Sequence, residues 1–294
     1  MVVAAGLWGT TGTAASFLPE SVSPLATGAA TMGLGGLLLA ATAPRASWRV
    51  LRTRAVRPWL IAGALGVLVY PLAFYSGMSL AGVAVGNVVA LGSGPVVTAL
   101  LERVVERRRL SRRWAVATTL AVIGVALLLV GRGGVGAAPE LRTGVLWGVV
   151  AGIAYGLYTY ASARAIATGA ASRGVMGAIF GCGAVLLLPV LLVTGAPLLE
   201  APASIGITGY LVLGPMLLAY LLIGWALRAL SASTVTTVAL IEPVVATLLA
   251  VVIVGERLGA LAWLGVAVIL LGIVVLVAAR PPRHPDAADL DFEA

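Results

Sequence analysis

Apolar residues in this chain form long runs separated by short polar or charged segments. Most runs extend over roughly 18 to 23 residues, the length that an α-helix needs to cross a hydrocarbon layer of ~30 Å. The pattern predicts ten membrane-spanning helices, spans one to ten: Met1–Leu18, Leu25–Ala43, Pro58–Leu80, Val83–Leu101, Trp114–Gly131, Thr143–Ala165, Gly174–Thr194, Ile205–Leu230, Ala232–Val254 and Ala260–Ala279. Because very short segments separate spans three and four, and spans eight and nine, a count of nine also fits the pattern.

The composition agrees with a chain that lies in lipid. The residues are 61% hydrophobic and 10% charged, and the mean hydropathy is +1.08. These values exclude an ordinary water-soluble globule. The first run could alternatively be a secretory signal peptide, but it lacks the positively charged start of such peptides.

The basic residues are unevenly placed along the chain. All 19 are arginines, and with both termini in the cytoplasm all but Arg132, Arg142 and Arg257 lie in the tail or in loops on the cytoplasmic side. This bias fixes the orientation, because cytoplasmic loops retain positive charge. We therefore expect a multi-pass protein of a bacterial plasma membrane. The net charge of +8 does not indicate nucleic-acid binding, since no soluble basic domain is present.

The two halves of the chain resemble each other. An offset of 148 residues places Pro95 on Pro243 and Gly124 on Gly272, and a looser match at offset 139 places Leu7-Trp8-Gly9 on Leu146-Trp147-Gly148. Five spans in each half is an odd number, so the second half must cross the membrane in the opposite sense. Inverted repeats of this kind are typical of secondary transporters. The predicted organisation is a first repeat at 1–131, a second at 143–279 and a disordered cytoplasmic tail at 280–294.

Three motifs carry a family resemblance: Leu7-Trp8-Gly9-Thr10, Ile241-Glu242-Pro243-Val244-Val245-Ala246 and Gly255-Glu256-Arg257-Leu258. With them, the chain resembles the drug/metabolite transporter superfamily, and within it the EamA-type exporters. The first half departs from the pattern, because Gly94-Pro95 lacks the glutamate and Arg107-Arg108-Arg109-Leu110 replaces the usual Gly-Glu-Arg-Leu. The resemblance implies an all-α fold of two inverted five-helix repeats around a central cavity lined by spans one, three, four, six, eight and nine. It also implies export of amino acids, related metabolites or drug-like molecules.

Prolines occur at corresponding places in the two halves. Pro71 and Pro95 lie in spans three and four, and Pro215 and Pro243 lie in spans eight and nine. Helices broken at matched positions indicate a midplane site in transporters, because freed backbone groups can face a cavity there. Proline is also common in membrane helices in general, as Pro189 in span seven illustrates.

Glu242 is the only acidic residue near the middle of a span. Burial in a low-dielectric environment favours the neutral form of a carboxyl group, so Glu242 is a candidate for proton exchange or for binding a cationic group. The alternative is a structural glutamate bonded to the backbone that Pro243 frees. Asn87 maps by the 148 offset onto a position one heptad before Glu242, which places both on equivalent faces. Asn87 could instead form a hydrogen bond between helices.

Aromatic residues in the spans that the resemblance assigns to the cavity are further candidates for the transport pathway. These are Trp8, Tyr70, Tyr75, Tyr155, Tyr158, Tyr220 and Trp225. Several of them could instead be anchors at the membrane interface, where tryptophan and tyrosine are enriched.

Two other classes of function compete with a transporter. A membrane-embedded enzyme would need reactive groups, and the spans contain no histidine, one cysteine and no second central carboxylate. A sensor or scaffold would be expected to carry a soluble module beyond the tail. We expect no enzyme activity, no cofactor, no metal site and no nucleic-acid partner. The expected partners are a small-molecule substrate and the lipid bilayer, and the expected state is a monomer or weak homodimer.

The charge asymmetry gives a testable topology. Reporter fusions at Arg52, Arg109 and the C-terminal tail should read as cytoplasmic, and fusions at Ser21, Ala138 and Ala201 as external. An external C-terminus would mean an odd number of spans and would contradict two repeats of five.

Overall fold

The computed structural model describes residues 1–81, 83–107, 109–131, 140–254 and 257–278. Their regular structure is entirely helical, without a β-strand among them. The predicted tail at 280–294 lies outside the described residues, as do Arg132 and Ala138.

The α-helices are α1 Val2–Gly9, α2 Thr11–Ala15, α3 Pro24–Ala41, α4 Pro44–Arg52, α5 Arg57–Ala81, α6 Val83–Val105, α7 Arg112–Gly131, α8 Leu141–Ala167, α9 Ser172–Thr194, α10 Pro202–Leu211, α11 Ala219–Ala226, α12 Ala232–Ala239, α13 Glu242–Leu249 and α14 Ala260–Val277. Two short segments are 3₁₀-helical, Arg54–Val56 and Ala196–Leu199. Two others are π-helical, Val212–Leu218 between α10 and α11, and Ala250–Val254 after α13.

Among the described residues, seven helical segments are long and apolar enough to cross a membrane: Pro24–Ala41, Arg54–Ala81, Val85–Val105, Leu141–Ala167, Ser172–Thr194, Pro202–Ala226 and Ala232–Ile253. This is fewer than the ten spans predicted. The other three predicted spans are helical as well, as α1 with α2, α7 and α14. The first of them is divided at Thr10, which leaves neither part long enough to cross a membrane by itself.

Local sequence sets several helix ends. Ser23 precedes α3 and its hydroxyl accepts a hydrogen bond from the Ala26 amide, and Ser231 caps α12 in the same way through the Thr234 amide. Gly169 follows α8 with a φ of 88°, a conformation that glycine adopts without strain and that turns the chain towards α9.

The helices pack in pairs that join the two halves of the chain. α3 of span two packs against α9 of span seven, and α7 of span five packs against α14 of span ten. α5 and α6 of spans three and four both pack on α8 of span six. The corresponding contacts occur with the roles of the halves exchanged. The helices of spans eight and nine, in the second half, both pack on α1, which is span one of the first half.

The contact between α7 and α14 repeats itself at the level of single atoms. A methyl group on Gly124 would lie 2.6 Å from the Ile269 nitrogen and 2.8 Å from the Gly265 oxygen. A methyl group on Gly272 would lie 2.7 Å from the Ala117 oxygen and 3.0 Å from the Ala121 nitrogen. Adding 148 to 117, 121 and 124 gives 265, 269 and 272, so the offset found in the sequence relates the two sides of this contact.

The first spans of the two halves correspond in a different register from the one that the sequence suggested. A methyl group on Gly9 would lie 2.7 Å from Val245 Cβ and 3.0 Å from the Glu242 oxygen, and one on Gly156 would lie 2.8 Å from Val97 Cβ and 3.2 Å from the Gly94 oxygen. These contacts equate Gly9 with Gly156 rather than with Gly148. Trp8 therefore corresponds to Tyr155, and the Leu-Trp-Gly match at offset 139 is wrong by about two helical turns.

The close approach of α7 and α14 can be tested by adding one methyl group. Gly124→Ala should lower the free energy of unfolding of the detergent-solubilised protein by about 1–3 kcal/mol, and its unfolding temperature with it. The reason is that the new Cβ meets backbone atoms of α14, which cannot move aside as a side chain could. Gly206→Ala on α10 is the matched control, since no atom lies within 4 Å of its added methyl group. Equal unfolding temperatures for the two variants would show that the helices do not approach this closely.

Candidate functional site

Span nine is broken at Glu242. α12 ends at Ala239, Leu240 and Ile241 form a turn, and α13 begins at Glu242. Pro243 has no amide hydrogen, so the chain restarts as a helix when the Val244 and Val245 amides both donate to the Ile241 oxygen, at 2.9 and 3.1 Å. The Glu242 carboxyl group lies in the first turn of α13, where the helix dipole favours negative charge.

Aromatic rings from five segments meet beside this break. Neighbouring ring centroids lie 4.4 to 6.4 Å apart, in tilted and edge-to-face arrangements that favour aromatic contact. We call this set the aromatic cluster: Trp8 on α1, Tyr70 on α5, Tyr155 and Tyr158 on α8, Phe180 on α9 and Tyr220 on α11. The Tyr158 and Tyr220 hydroxyls share a hydrogen bond of 2.7 Å, which links the second-half helices α8 and α11.

Glu242 belongs to the same site as these rings. Its backbone oxygen lies against Gly9, the residue that follows Trp8, and a methyl group on Gly9 would lie 3.0 Å from that oxygen. Glu242, Trp8, Tyr70 and Tyr75 are partly exposed although they lie along spans, while Tyr155, Tyr158 and Tyr220 are buried behind them. The first group is therefore accessible to a molecule of the size of water, whereas the three buried tyrosines are not.

Trp8 is held by a hydrogen bond as well as by ring contacts. Its indole Nε1 donates to the Pro215 oxygen at 2.9 Å. Pro215 lies in the π-helical segment of span eight, where the widened backbone leaves carbonyl groups without the usual α-helical donor. The bond therefore ties span one to the irregular part of span eight.

The first residues of span nine are attached to the first half of the chain. Glu102 at the end of α6 is 3% exposed, and its carboxylate accepts hydrogen bonds from the Ser233 amide at 2.9 Å and the Ser233 hydroxyl at 2.7 Å. The hydroxyls of Thr98 and Thr236 are 3.0 Å apart, as are those of Thr118 and Thr237. We call these contacts the α12 contact. They lie at the end of the bundle that carries the arginine-rich loops.

Comparison with known proteins identifies the chain at this point. Residues 1–130 and 142–278 each match the EamA-like transporter family. The chain belongs to that family. It is 34% identical over 298 residues to the uncharacterized transporter YwfM of Bacillus subtilis, covering 98% of this chain and 95% of the relative. An uncharacterized transporter of Clostridium kluyveri is 31% identical over 149 residues, covering 48% of this chain and 46% of the relative.

A protein of known crystal structure superimposes with a TM-score of 0.79, covering 94% of each chain at 23% identity. At this level of identity the likeness concerns the fold alone. Family membership and the apolar helices together show a multi-pass membrane protein of a transporter family. A transporter is not an enzyme, and in this respect the sequence interpretation agrees with the family.

The structure brings together most of the residues that the sequence singled out in this EamA-like chain. Trp8, Tyr155, Tyr220 and Glu242 meet as described. Tyr75 is linked to the cluster through Phe74, whose ring centroid lies 5.3 Å from that of Tyr75 and 5.3 Å from that of Tyr70. Asn87 is on α6, and its side-chain oxygen is buried without a hydrogen-bond partner among the described residues. Trp225 is separate from the site, because its side chain is 67% exposed on α11.

The predicted helix breaks are only partly correct. Pro215 lies in a π-helical segment, and Pro243 follows the interruption between α12 and α13. Pro71 and Pro95, in contrast, lie inside the continuous helices α5 and α6. A proline removes one amide donor, and a membrane helix tolerates this loss when nearby hydroxyls and packed helices compensate. Around Pro95, α6 is held in place by packing against α8 and α12.

Two features of the site were not recognised in the sequence. Phe180 comes from span seven, which the family resemblance did not assign to the cavity. Glu102 lies one residue beyond predicted span four, beside Arg103 and the arginines at 107–109, and the sequence pattern did not single it out. Its spacing of four residues from Thr98, which places both on one helix face, is the signal that could have indicated a polar contact.

Proposed function

We propose that this protein is a secondary transporter that exports small organic metabolites by alternating access. The observation that carries the proposal is the position of Glu242, an ionisable group at a helix break in mid-span, beside a cluster of rings from both halves of the chain. Ionisable groups inside a membrane are costly and typically mark a substrate or ion pathway. We further propose that Glu242 couples export to proton movement.

The contacts between the halves support two inverted five-helix repeats. Exchange of the halves maps Gly124 onto Gly272 and Gly9 onto Gly156 with their surroundings, and maps the helix pairs onto each other. A pair of similar halves around a site can exchange their conformations, and this exchange opens the site to alternate sides. The same correspondence supports the proposal of ten spans.

The two ends of span nine differ in a way that fits one state of such a cycle. At the arginine-rich end, α12 is bound to α6 and α7 by the α12 contact. At the opposite end, α13 packs mainly against α1, and an open apolar groove of about 350 Å³ lies between α2, α10 and the end of span nine. Thr10, Tyr210 and Ile253 are among the residues that line it. We therefore assign the α12 contact as the closed cytoplasmic gate.

The proposal is tested most directly by finding the substrate. Untargeted metabolite profiles of cells and medium should differ between strains with and without the protein, with the substrate depleted in medium and accumulated in cells when the protein is absent. Transport of any such compound should then be reconstituted in proteoliposomes. Unchanged profiles over a broad range of growth conditions would contradict an export function.

Glu242→Gln should reduce transport and flatten its dependence on pH without preventing membrane insertion. A charged residue at a helix centre opposes insertion by roughly 2.5–3.5 kcal/mol, and the apolar residues of the span offset this cost. Glutamine retains the size and the carbonyl group but cannot ionise, so only a function that needs ionisation is lost. The measurement is the initial transport rate in proteoliposomes at several pH values, at matched protein amounts.

Glu200→Gln is the matched control, because Glu200 is exposed and lies outside the helical spans. It should transport as the unchanged protein does. Proton coupling through Glu242 is excluded if the Glu242→Gln protein keeps the rate and the pH profile of the unchanged protein.

The proposed gate can be locked covalently. Cys182 is the only cysteine, so a Cys182→Ala background allows Thr98→Cys and Thr236→Cys to be introduced as a unique pair where the hydroxyls are 3.0 Å apart. Mild oxidation should link α6 to α12 and stop transport, and a reductant should restore it, because opening this end requires the two helices to separate.

The two single-cysteine variants in the same background serve as controls and should be insensitive to oxidation. The degree of cross-linking is measured by the gel mobility shift after cleavage at an engineered site between the two positions. A fully cross-linked protein that transports at its normal rate would show that the α12 contact is not a gate.

A further inference from the structure

We infer that the site at Glu242 selects monovalent organic cations that carry an apolar body, such as protonated or quaternary amines with a hydrocarbon or aromatic group. This inference rests on the proposed transport function and narrows its substrate class. It excludes free amino acids, which carry a carboxylate, as the preferred substrates.

The charges of the described residues favour a cationic ligand. Glu242 is the only acid near the middle of a span, and the described arginines lie in loops, in the short helix α4 or in the first or last turn of a longer helix. Arg164, for example, lies in the last turn of α8 and pairs with Glu106 at 3.7 Å. A cationic ligand would thus meet one negative charge at the site, whereas a carboxylate or phosphate would meet no positive one among these residues.

The energetic consequence of this arrangement is large. An anion that leaves water for a low-dielectric site without an opposite charge is strongly disfavoured. Hydroxyl and amide groups can donate hydrogen bonds to an anion, but they do not neutralise it, and Glu242 repels it whenever it is ionised. A zwitterion would satisfy its ammonium group and leave its carboxylate uncompensated.

The aromatic rings favour a cation with an apolar body. Trp8 precedes Gly9, which packs against the Glu242 backbone, and the partly exposed rings of Trp8 and Tyr70 both contact Tyr155 in the aromatic cluster. The face of an aromatic ring attracts ammonium groups, and the attraction is strongest where water is excluded. The buried rings of Tyr155, Phe180 and Tyr220 form an apolar wall behind them, which suits a hydrocarbon or aromatic body.

Two buried polar groups on the helices around the site have no partner among the described residues. The Tyr155 hydroxyl and the Asn87 side-chain oxygen are buried and make no hydrogen bond among the described residues. Such groups are costly unless a ligand or water satisfies them. The Tyr155 hydroxyl belongs to the aromatic cluster and can accept a hydrogen bond from a protonated amine bound there.

Probes with one common body and different charges test the inference. Phenethylamine is a cation, 3-phenylpropionate an anion and phenylalanine a zwitterion, and all three carry a phenyl group on a short chain. Isothermal titration calorimetry on the full chain in detergent should give binding of phenethylamine at least about tenfold tighter than that of the other two probes. The comparison uses the unchanged protein and therefore does not depend on a variant that folds poorly.

Three variants examine the source of the preference. Glu242→Gln should weaken phenethylamine binding by about tenfold or more and reduce its advantage over 3-phenylpropionate. Tyr70→Leu removes a ring and should weaken phenethylamine binding by up to about tenfold, whereas Tyr70→Phe keeps the ring and should bind within about twofold of the unchanged protein. Equal losses for Tyr70→Leu and Tyr70→Phe would exclude the ring face as the binding element.

The outcomes separate the two proposals. Binding of phenylalanine or 3-phenylpropionate as tight as that of phenethylamine overturns the cation inference and leaves the transport proposal intact. Failure of phenethylamine to bind also overturns the cation inference. The transport proposal is overturned only by metabolite profiles that do not change when the protein is removed.

Discussion

The contact between α1 and the break in span nine holds the candidate site together. Gly9 lets α1 approach so closely that its backbone meets Val245 and the carbonyl group of Glu242. A side chain at this position would push the two helices apart and displace Trp8 from the rings around it. Because Trp8 also bonds to Pro215, this one contact positions spans one, eight and nine at the same point. The ring cluster and the carboxyl group depend on that arrangement.

The two halves use the same backbone contacts for different chemistry. Gly94 on α6 occupies the position that Glu242 occupies in the second half, and the Tyr155 ring lies against it where a side chain would otherwise project. Trp8, the counterpart of Tyr155, lies beside Glu242 in turn. The result is one carboxyl group and two large rings about a common centre. Similar helices thus build a frame with near symmetry, and the side chains at its centre remove that symmetry.

Much of this arrangement could be predicted from the sequence, and the failures have physical causes. Glu242 was evident because a carboxyl group in mid-span is rare and costly, and Pro243 because it follows directly. Pro71 and Pro95 look equivalent to Pro215 and Pro243 in the sequence, but packing decides whether a helix survives the loss of one hydrogen bond. Trp225 is aromatic and lies in a span assigned to the cavity, yet an aromatic side chain suits the lipid interface as well as a cavity. The register of the first spans depends on which glycine touches which helix, and this information is absent from a three-residue match.

The ring of Tyr155 over Gly94 also limits the number of acidic groups that the site can hold. A second carboxyl group at Gly94 would need the space that this ring fills, so the centre of the molecule accommodates one acidic group. One acid neutralises one positive charge at a time. In the proposed cycle, a monovalent cation leaves in exchange for one proton, and no net charge crosses the membrane. Transport of this kind would respond to a pH gradient and would be indifferent to the membrane potential.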